Sequence, residues 1–371
     1  MLNINFGNAQ SGQRSAVSGQ LIAESSELFC PMPNAQFLTQ NSKLKTLPNA
    51  PIPMKKIFSL IVSLTILAVI YAKIDLRELI RVFQNSDLTW MAIALGMLVP
   101  LVMITAWRLQ QLIPAKEGLK SLKFGEANRL ILAGSVLNMI LPSKMGDIAK
   151  AYFMQDKGHL SGSLALSLVV FEKVCDLLSL LLGCAFGLLL YPAKNFLFWA
   201  MTAGVGAGLF VGMLLLSSRR FASLFFNAAS RVAPKKLKLK IDKLRFSWGE
   251  MHEYFWSDSS LVAKIALTSI FLWLCHLLQI WFFIFALRAT VPFLAHLALS
   301  PLAILAGLMP LTFAGVGTRD EALILFYQPY FDAATGAALG LLCTARYLLP
   351  ALAGLPFFRE YLAAIQTEDR V

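Results

Sequence analysis

Several charged side chains of this sequence occur inside apolar segments. Burial of a charge in apolar surroundings costs free energy, so these side chains are candidates for a functional role. Glu172 and Asp176 occur four residues apart in the middle of the apolar stretch 162–190, with Lys173 between them. A spacing of four places both carboxylates on one face of a helix. Paired carboxylates can act as a general base, hold a metal ion or bind a cationic group, so this pair marks a candidate site.

A second group of charges follows a proline directly. The apolar run 130–141 ends at Pro142, which stops a helix because proline lacks an N–H and clashes with the preceding turn. The polar and charged candidates around this break are Asn138, Lys144, Gly146, Asp147 and Lys150. Lipid tolerates charges and irregular backbone only where they are buried in protein or line a water-filled cavity. The break therefore predicts a functional site inside the membrane.

The same pattern of a proline, glycines and charges recurs later in the chain. The short apolar run 294–309 ends at Pro310, and residues 322–327 are apolar again. The candidates between them are Gly315, Gly317, Arg319, Asp320 and Glu321. Glycine lets a headgroup approach the backbone closely, and the N-terminus of a half-helix offers free N–H groups to an anion. We interpret both breaks as re-entrant segments; two ordinary loops with helix stops are the alternative.

The composition identifies the class of protein that must position these side chains. Of the 371 residues, 57% are hydrophobic and 15% are charged, and the mean hydropathy is +0.65. Such values are typical of a polytopic helical membrane protein and not of a soluble domain. Full spans are predicted at residues 57–72, 88–107, 162–190, 195–216, 261–287 and 333–355, the last of which contains Arg346. The predicted fold is all-α, with about six full spans plus two re-entrant broken-helix segments.

The basic excess predicts the topology and makes a nucleic-acid ligand a poor explanation. The net charge is +12, and the most basic stretch runs from residue 219 to residue 256. Cytoplasmic loops of membrane proteins carry such an excess, so alternation of the spans places both termini in the cytoplasm. The two broken segments then enter from opposite sides. Paired interrupted helices of inverted orientation build midplane sites in transporters.

The two ends of the chain and the cysteines carry less information. Residues 1–53 are polar and rich in Asn, Gln and Ser, so we expect a disordered tail, with Met54 as an alternative start. The transmembrane domain is expected at residues 54–358 and a short cytoplasmic tail at 359–371. The five cysteines lack metal-binding or redox spacing and predict neither a disulfide nor a metal site. No nucleotide-binding loop is present in the sequence, and no cofactor is expected.

The two breaks and the carboxylates between them resemble the lysylphosphatidylglycerol synthase transmembrane-region family, also called the flippase-like integral membrane family. Its first motif matches Asn138, Leu141, Pro142, Gly146, Asp147 and Lys150, although the family more often has Glu in place of the Asp. Its second, a Glu-Arg pair with Asp four positions after the Glu, matches Glu172, Lys173 and Asp176, with Lys replacing Arg.

The third motif of that family is a Pro-x-x-x-Gly-Gly-x-Gly-x-x-Glu turn. It is approximated by Pro310, Gly315, Gly317 and Glu321, with Ala314 in place of the first Gly and Asp320 at the acidic position. The resemblance covers about residues 54–358. It implies a multi-pass protein of the bacterial inner membrane that moves a charged or glycosylated lipid between leaflets, or that supports an enzyme which modifies one. Synthase members add a cytosolic aminoacyltransferase domain, and we do not expect aminoacyl transfer from this chain alone.

Three functions remain open from the sequence. In a lipid translocase, Lys144, Lys150 and Arg319 would attract an anionic headgroup, while the acidic candidates would balance those charges or bind a cationic group. In an accessory subunit, the chain would position a lipid- or glycan-modifying partner enzyme. In a lipid-carrier transferase, the carboxylates would be catalytic. We favour the first, without enzymatic activity, with anionic or polyprenyl-linked lipids as partners. In a purely structural alternative, Glu172, Lys173 and Asp176 pair with one another or with Arg346.

Overall fold

The computed structural model describes residues 76–113, 122–140, 147, 150, 151, 153, 154, 162–190, 196–256, 258–308 and 315–368. The predicted span at 57–72, together with Leu141, Pro142, Lys144, Gly146 and Pro310, lies outside the described residues. The described chain is helical, without strands. The helices are α1 (Leu76–Gln84), α2 (Leu88–Gly96), α3 (Leu98–Leu112), α4 (Phe124–Ile140), α5 (Gly162–Leu190), α6 (Phe196–Ser217), α7 (Arg219–Val232), α8 (Lys235–Trp256), α9 (Ser259–Ala286), α10 (Phe293–Gly307), α11 (Thr318–Tyr327) and α12 (Ala333–Glu368).

Several helices are long and apolar enough to cross a membrane. They are Leu88–Leu112, Leu164–Leu190, Phe198–Ser217, Ser259–Ala286 and Ala333–Phe358. Each overlaps a span predicted from the sequence, so the class of an integral, multi-pass helical membrane protein is confirmed. A span needs about 20 residues to cross the hydrocarbon core. Helices α4 and α10, with 17 and 15 residues, are shorter than that.

The span that contains α2 and α3 runs further than the sequence predicts. We expected it to end at Trp107, before Arg108, but α3 continues to Leu112. Only 2% of the surface of Arg108 is exposed, because its guanidinium faces acidic partners inside the bundle and not water. An arginine that is neutralised in this way does not end a span. The helix therefore carries a charge into the protein interior.

The two short helices pack closely against long ones. Helix α4 lies against α12, and α10 lies against α5. At the first crossing, a Cβ on Gly354 would lie 2.1 Å from the carbonyl oxygen of Leu132. At the second, a Cβ on Gly187 would lie 2.2 Å from the carbonyl oxygen of Ala298. Both crossings thus require glycine, and both bring backbone against backbone.

Candidate functional site

A cavity of about 260 Å³ opens between helices of the bundle. Its walls come from α3, α4, α5, α9 and α12 and from the helical residues that follow the first break. The polar and charged side chains that line it are Thr105, Arg108, Ser135, Asn138, Asp147, Lys150, Glu172, Lys173, Asp176, His276, Arg346 and Tyr347. The remaining wall is aliphatic apart from Trp273. A charged cavity thus lies among apolar helices.

Arg108 joins α3 to the carboxylates of α5. Its Nη2 donates to Oε1 of Glu172 at 2.6 Å and to Oδ2 of Asp176 at 3.2 Å. Its Nη1 donates to the other carboxylate oxygen of Asp176 and, at 2.7 Å, to the hydroxyl of Ser269 in α9. The spacing of four in α5 presents both carboxylates to one guanidinium. Charge-assisted bonds of this kind hold three helices together around a buried centre.

Lysines attach the residues that follow the first break to helix α5. The Nζ of Lys150 lies 2.7 Å from Oδ1 of Asp147 and 3.8 Å from Oε2 of Glu172. The Nζ of Lys173 lies 2.8 Å from Oδ2 of Asp147 and 3.8 Å from Oδ2 of Asp176. Each carboxylate oxygen of Asp147 is thus in contact with one lysine, and Asp147 connects Lys150 to Lys173.

Arg346 on α12 differs from the other cations of the cavity. Its Nη2 donates to the hydroxyl of Tyr347 at 2.9 Å, and its Nη1 donates to the carbonyl oxygen of His276 at 3.4 Å. It is only 4% exposed, and no carboxylate of the described chain forms an ion pair with it. Its Nε has no hydrogen-bond partner there, and neither does Oδ1 of Asn138 across the cavity wall. Nε of Arg108 has no partner in the described chain either, so the cavity presents unused donors on two arginines and an unused acceptor on Asn138.

The charges that line the cavity do not cancel. Among the described residues, Asp147, Glu172 and Asp176 stand against Arg108, Lys150, Lys173 and Arg346, which leaves one positive charge in excess. The acidic residues are engaged by Arg108 and the two lysines, so the excess is localised at Arg346. A buried positive charge without a counter-ion is costly, and an anion that enters the cavity removes that cost.

The charges of the second break form a separate cluster. Nη2 of Arg319 donates to Oδ1 of Asp320 at 2.6 Å, to the carbonyl oxygen of Gly340 at 3.1 Å and to the hydroxyl of Thr344 at 2.7 Å. The backbone N–H of Gly317 donates to Oδ2 of Asp320 at 3.0 Å. This cluster is buried and internally neutral, and it fixes the start of α11 to α12.

Two glycines give the second break its shape. Gly315 has φ 76° and Gly317 has φ 97°, conformations that side chains disfavour. A Cβ on Gly315 would lie 2.5 Å from the carbonyl oxygen of Gly307, at the end of α10. The space beside this glycine is therefore filled by the protein's own backbone.

The structure distributes the residues predicted from sequence over two places. Those that line the cavity are Asn138, Asp147, Lys150, Glu172, Asp176 and Arg346. Those of the second break, Gly315, Gly317, Arg319, Asp320 and Glu321, do not line it, and Glu321 is exposed. Lys144 and Gly146 lie outside the described residues. Of the pairings that the structural alternative allowed, Lys173 with Asp176 is present at 3.8 Å, whereas Arg346 does not pair with the α5 carboxylates and Arg108 does.

Sequence reasoning missed six polar residues of the cavity as site residues. They are Thr105, Arg108, Ser135, Lys173, His276 and Tyr347. Arg108 follows an apolar run and is as well explained by the membrane interface, since the positive-inside rule favours arginine there. Its acidic partners are 64 and 68 residues away along the chain, a pairing that one sequence does not display. The one available signal was the match between an arginine and a carboxylate pair, both inside apolar stretches.

Comparison with known proteins supports the membrane class and places it in a family. Residues 56–354 match the family model described as "Lysylphosphatidylglycerol synthase TM region". A relative from Methanocaldococcus jannaschii, described as "UPF0104 membrane protein MJ1595", is 23% identical over 319 residues, which cover 81% of this chain and 93% of the relative. Every residue that lines the cavity falls inside the matched range.

Proposed function

The chain belongs to the family of the lysylphosphatidylglycerol synthase TM region, and from that premise we propose that its cavity binds the headgroup of an anionic membrane lipid and carries that lipid between leaflets. The observation that carries the proposal is the buried guanidinium of Arg346, which pairs with no carboxylate of the described residues. In a bilayer, the abundant anions at hand are lipid phosphates. The positive excess of the cavity is equal in magnitude and opposite in sign to the charge of one phosphodiester.

The polar groups of the cavity fit a phosphate with a hydrogen-bonding substituent. The Nε and Nη groups of a guanidinium match two oxygens of one phosphate. Oδ1 of Asn138 accepts a hydrogen bond from a hydroxyl or amine of the headgroup. A volume of about 260 Å³ holds a headgroup, while the acyl chains stay between the helices in lipid.

The ion pairs around Asp147 provide a way to accommodate cationic parts of a headgroup. Lys173 is 43% exposed, whereas Lys150 beside it is 4% exposed. An amine of a lipid headgroup replaces Lys173 as the partner of Asp147 or Asp176, because an ammonium group carries the same charge as the Lys173 side chain. The buried Arg108–Glu172 pair keeps the helices in place during that exchange.

The short helices α4 and α10 support an alternating-access architecture. Each is shorter than a full crossing, ends at a break and packs through a glycine against a long span. We interpret them as re-entrant segments of inverted orientation, as used by secondary transporters. The basic helices α7 and α8 then lie on the cytoplasmic side of a bacterial inner membrane, with both termini on that side. Transport occurs without a catalytic step, and lipids, including polyprenyl-linked ones, are the partners.

Lipid translocation in reconstituted vesicles tests this function. Purified protein is placed in liposomes with phosphatidylglycerol or phosphatidylcholine that carries an NBD fluorophore on an acyl chain, or with polyprenyl phosphate that carries it on the prenyl chain. Dithionite quenches the label in the outer leaflet and so reports probe that changes leaflet. We expect the wild type to move an anionic probe faster than phosphatidylcholine, R346K to retain part of that rate and R346Q to lose it. R81Q, an exposed arginine of α1, serves as the control with the same loss of charge.

Two outcomes would count against the proposal. If the wild type moves every probe at the rate of protein-free vesicles, the chain alone does not translocate lipid, and an accessory role beside a partner enzyme becomes the better account. If R346Q, folded by size-exclusion chromatography and thermal unfolding, equals the wild type, the headgroup phosphate is not held by Arg346.

A further inference from the structure

Helix α7 carries an exposed apolar face. Leu224 is 68% exposed and Val232 is 88% exposed, and Ala228 between them is exposed as well. A spacing of four residues aligns these three side chains along one line of the helix. Phe225, 41% exposed, extends the face to one side. Within the described chain, nothing covers these side chains.

The opposite side of α7 is fixed to α8. Ala222, Phe226 and Ser230 are buried there. The ring of Phe226 lies 5.7 Å from that of Trp248, and the hydroxyl of Ser230 donates to Oδ1 of Asp242 at 3.1 Å. The direction in which the exposed face points is therefore set by packing on its other side.

Helix α8 is in turn anchored to the membrane-spanning bundle. The ring of Phe255 stacks on that of Phe171 in α5 at 3.9 Å, and the hydroxyl of Tyr254 donates to the carbonyl oxygen of Leu112 at 3.3 Å. These contacts join α8 to helices that cross the membrane. The pair formed by α7 and α8 thus has a fixed position relative to the bundle.

Two tryptophans indicate where the pair formed by α7 and α8 lies relative to the membrane surface. The indole of Trp248 donates to the carbonyl oxygen of Leu215 at 3.2 Å, and that of Trp256 donates to the carbonyl oxygen of Leu216 at 2.9 Å. Both carbonyls belong to the last turn of the span Phe198–Ser217. Tryptophan concentrates at the membrane–water interface because it has an apolar body and a polar N–H. Helix α7 starts directly after that turn and therefore lies at the interface.

Basic side chains border the exposed apolar face. Arg220 precedes Leu224 by one turn, Arg231 is adjacent to Val232, and both arginines are exposed. Residues 219–256 contain nine Lys and Arg against three Asp and Glu. An apolar stripe flanked by arginines at the end of a span matches a leaflet with anionic lipids in both polarity and charge.

We propose that α7 is an in-plane anchor that lies in the surface of an anionic leaflet. Leu224, Ala228 and Val232 insert into the boundary of the acyl chains, while Arg220 and Arg231 contact lipid phosphates. The occupant of the face is bilayer lipid and not a second copy of this chain. This inference rests on α7 and α8 alone and is independent of the cavity and of transport.

Adjacent cysteines on two sides of α7 test the depth of the helix. S223C, L224C and A228C are made in the full-length chain, because all three positions are exposed on α7. The protein is placed as single chains in nanodiscs that contain phosphatidylglycerol and treated with a charged, membrane-impermeant maleimide. Mass spectrometry of the α7 peptide measures its labelling, so the native cysteines remain. We expect S223C to react at least about tenfold faster than L224C and A228C, because only the latter two face hydrocarbon.

Equal reaction rates at the three positions would overturn the anchor. Protection of L224C that appears only in discs with two chains would overturn it as well, because a second copy would then be the occupant. The size-exclusion profile of each variant reports its folding, and S223C serves as the matched control for L224C on the same turn.

A separate experiment tests whether α7 prefers a leaflet with anionic lipids. Labelling of L224C is compared in phosphatidylcholine discs and in discs with phosphatidylglycerol. We expect stronger protection with the anionic lipid, loss of that difference in R220Q/R231Q and its retention in R81Q. Identical protection in both lipids for the otherwise unaltered chain would remove the arginine–phosphate part of the proposal.

Discussion

The Nη2 of Arg108 and the Oε1 of Glu172 lie 2.6 Å apart, with both side chains almost fully removed from solvent. This contact joins α3 to α5 at the wall of the cavity, and Asp176 shares the same guanidinium. The pair is therefore the structural centre of the charged cluster, while Arg346 has no carboxylate partner in the part of the chain that the structure describes.

R108A is expected to destabilise the protein more than E172Q. Loss of the guanidinium leaves two carboxylates without their main partner, which costs about 3–5 kcal/mol for a broken buried pair. E172Q keeps Asp176 bound to Arg108 and retains a hydrogen-bonding group. Thermal unfolding in mild detergent measures the difference, and an equal shift for both variants would contradict a central role for Arg108.

Lys150 and Lys173 share Asp147 but are expected to respond differently to replacement by methionine. K150M removes a 4% exposed partner and should cost about 3 kcal/mol or more. K173M removes a 43% exposed partner and should cost less than about 1 kcal/mol. Urea or thermal unfolding checks the order. A larger loss for K173M would show that the exposed lysine carries the attachment of the first break.

Asn138 is expected to influence headgroup preference more than stability. N138L removes the amide oxygen of Asn138, which has no donor in the described chain, and leaves the formal charge of the cavity unchanged. Binding of phosphatidylglycerol, whose glycerol offers hydroxyl donors, should weaken relative to phosphatidic acid, which lacks that glycerol. N138D adds a negative charge and should weaken both lipids. Native mass spectrometry with each lipid gives the ratio, and an unchanged ratio in N138L would contradict the acceptor role.

G315A is expected to destabilise the second break. The new Cβ would meet the carbonyl oxygen of Gly307 at 2.5 Å in a left-handed conformation, with a cost of about 1–3 kcal/mol. G206A is the matched control, because nothing lies within 4 Å of that position and helical alanine is favoured by about 0.5–1 kcal/mol. Unfolding temperatures should move in opposite directions; a neutral G315A would mean that α10 and α11 separate easily.

Much of the fold was predictable because lipid imposes strong constraints on composition. Apolar runs of sufficient length identified the described spans, and prolines marked both breaks. The role of Arg108 was not predictable, since an arginine at the end of an apolar run looks the same whether it faces water or a carboxylate from a distant helix. It was not predictable either that the charged residues of the two breaks form two separate clusters. Arg319 and Asp320 neutralise each other locally, whereas Arg346, in the same span as Thr344, faces the cavity.

Thr344 and Arg346 are two residues apart on α12, which places them about 200° apart around the helix axis. One side of this helix receives Arg319 from the second break, and the other lines the cavity. Helix α12 therefore contacts both sites, each through a different side of the helix. A turn of this helix that withdraws Arg346 from the cavity also pulls Thr344 from Arg319. Insertion of one alanine between them would change their angular separation by about 100°, so that α12 could no longer contact Arg319 and line the cavity in the same orientation.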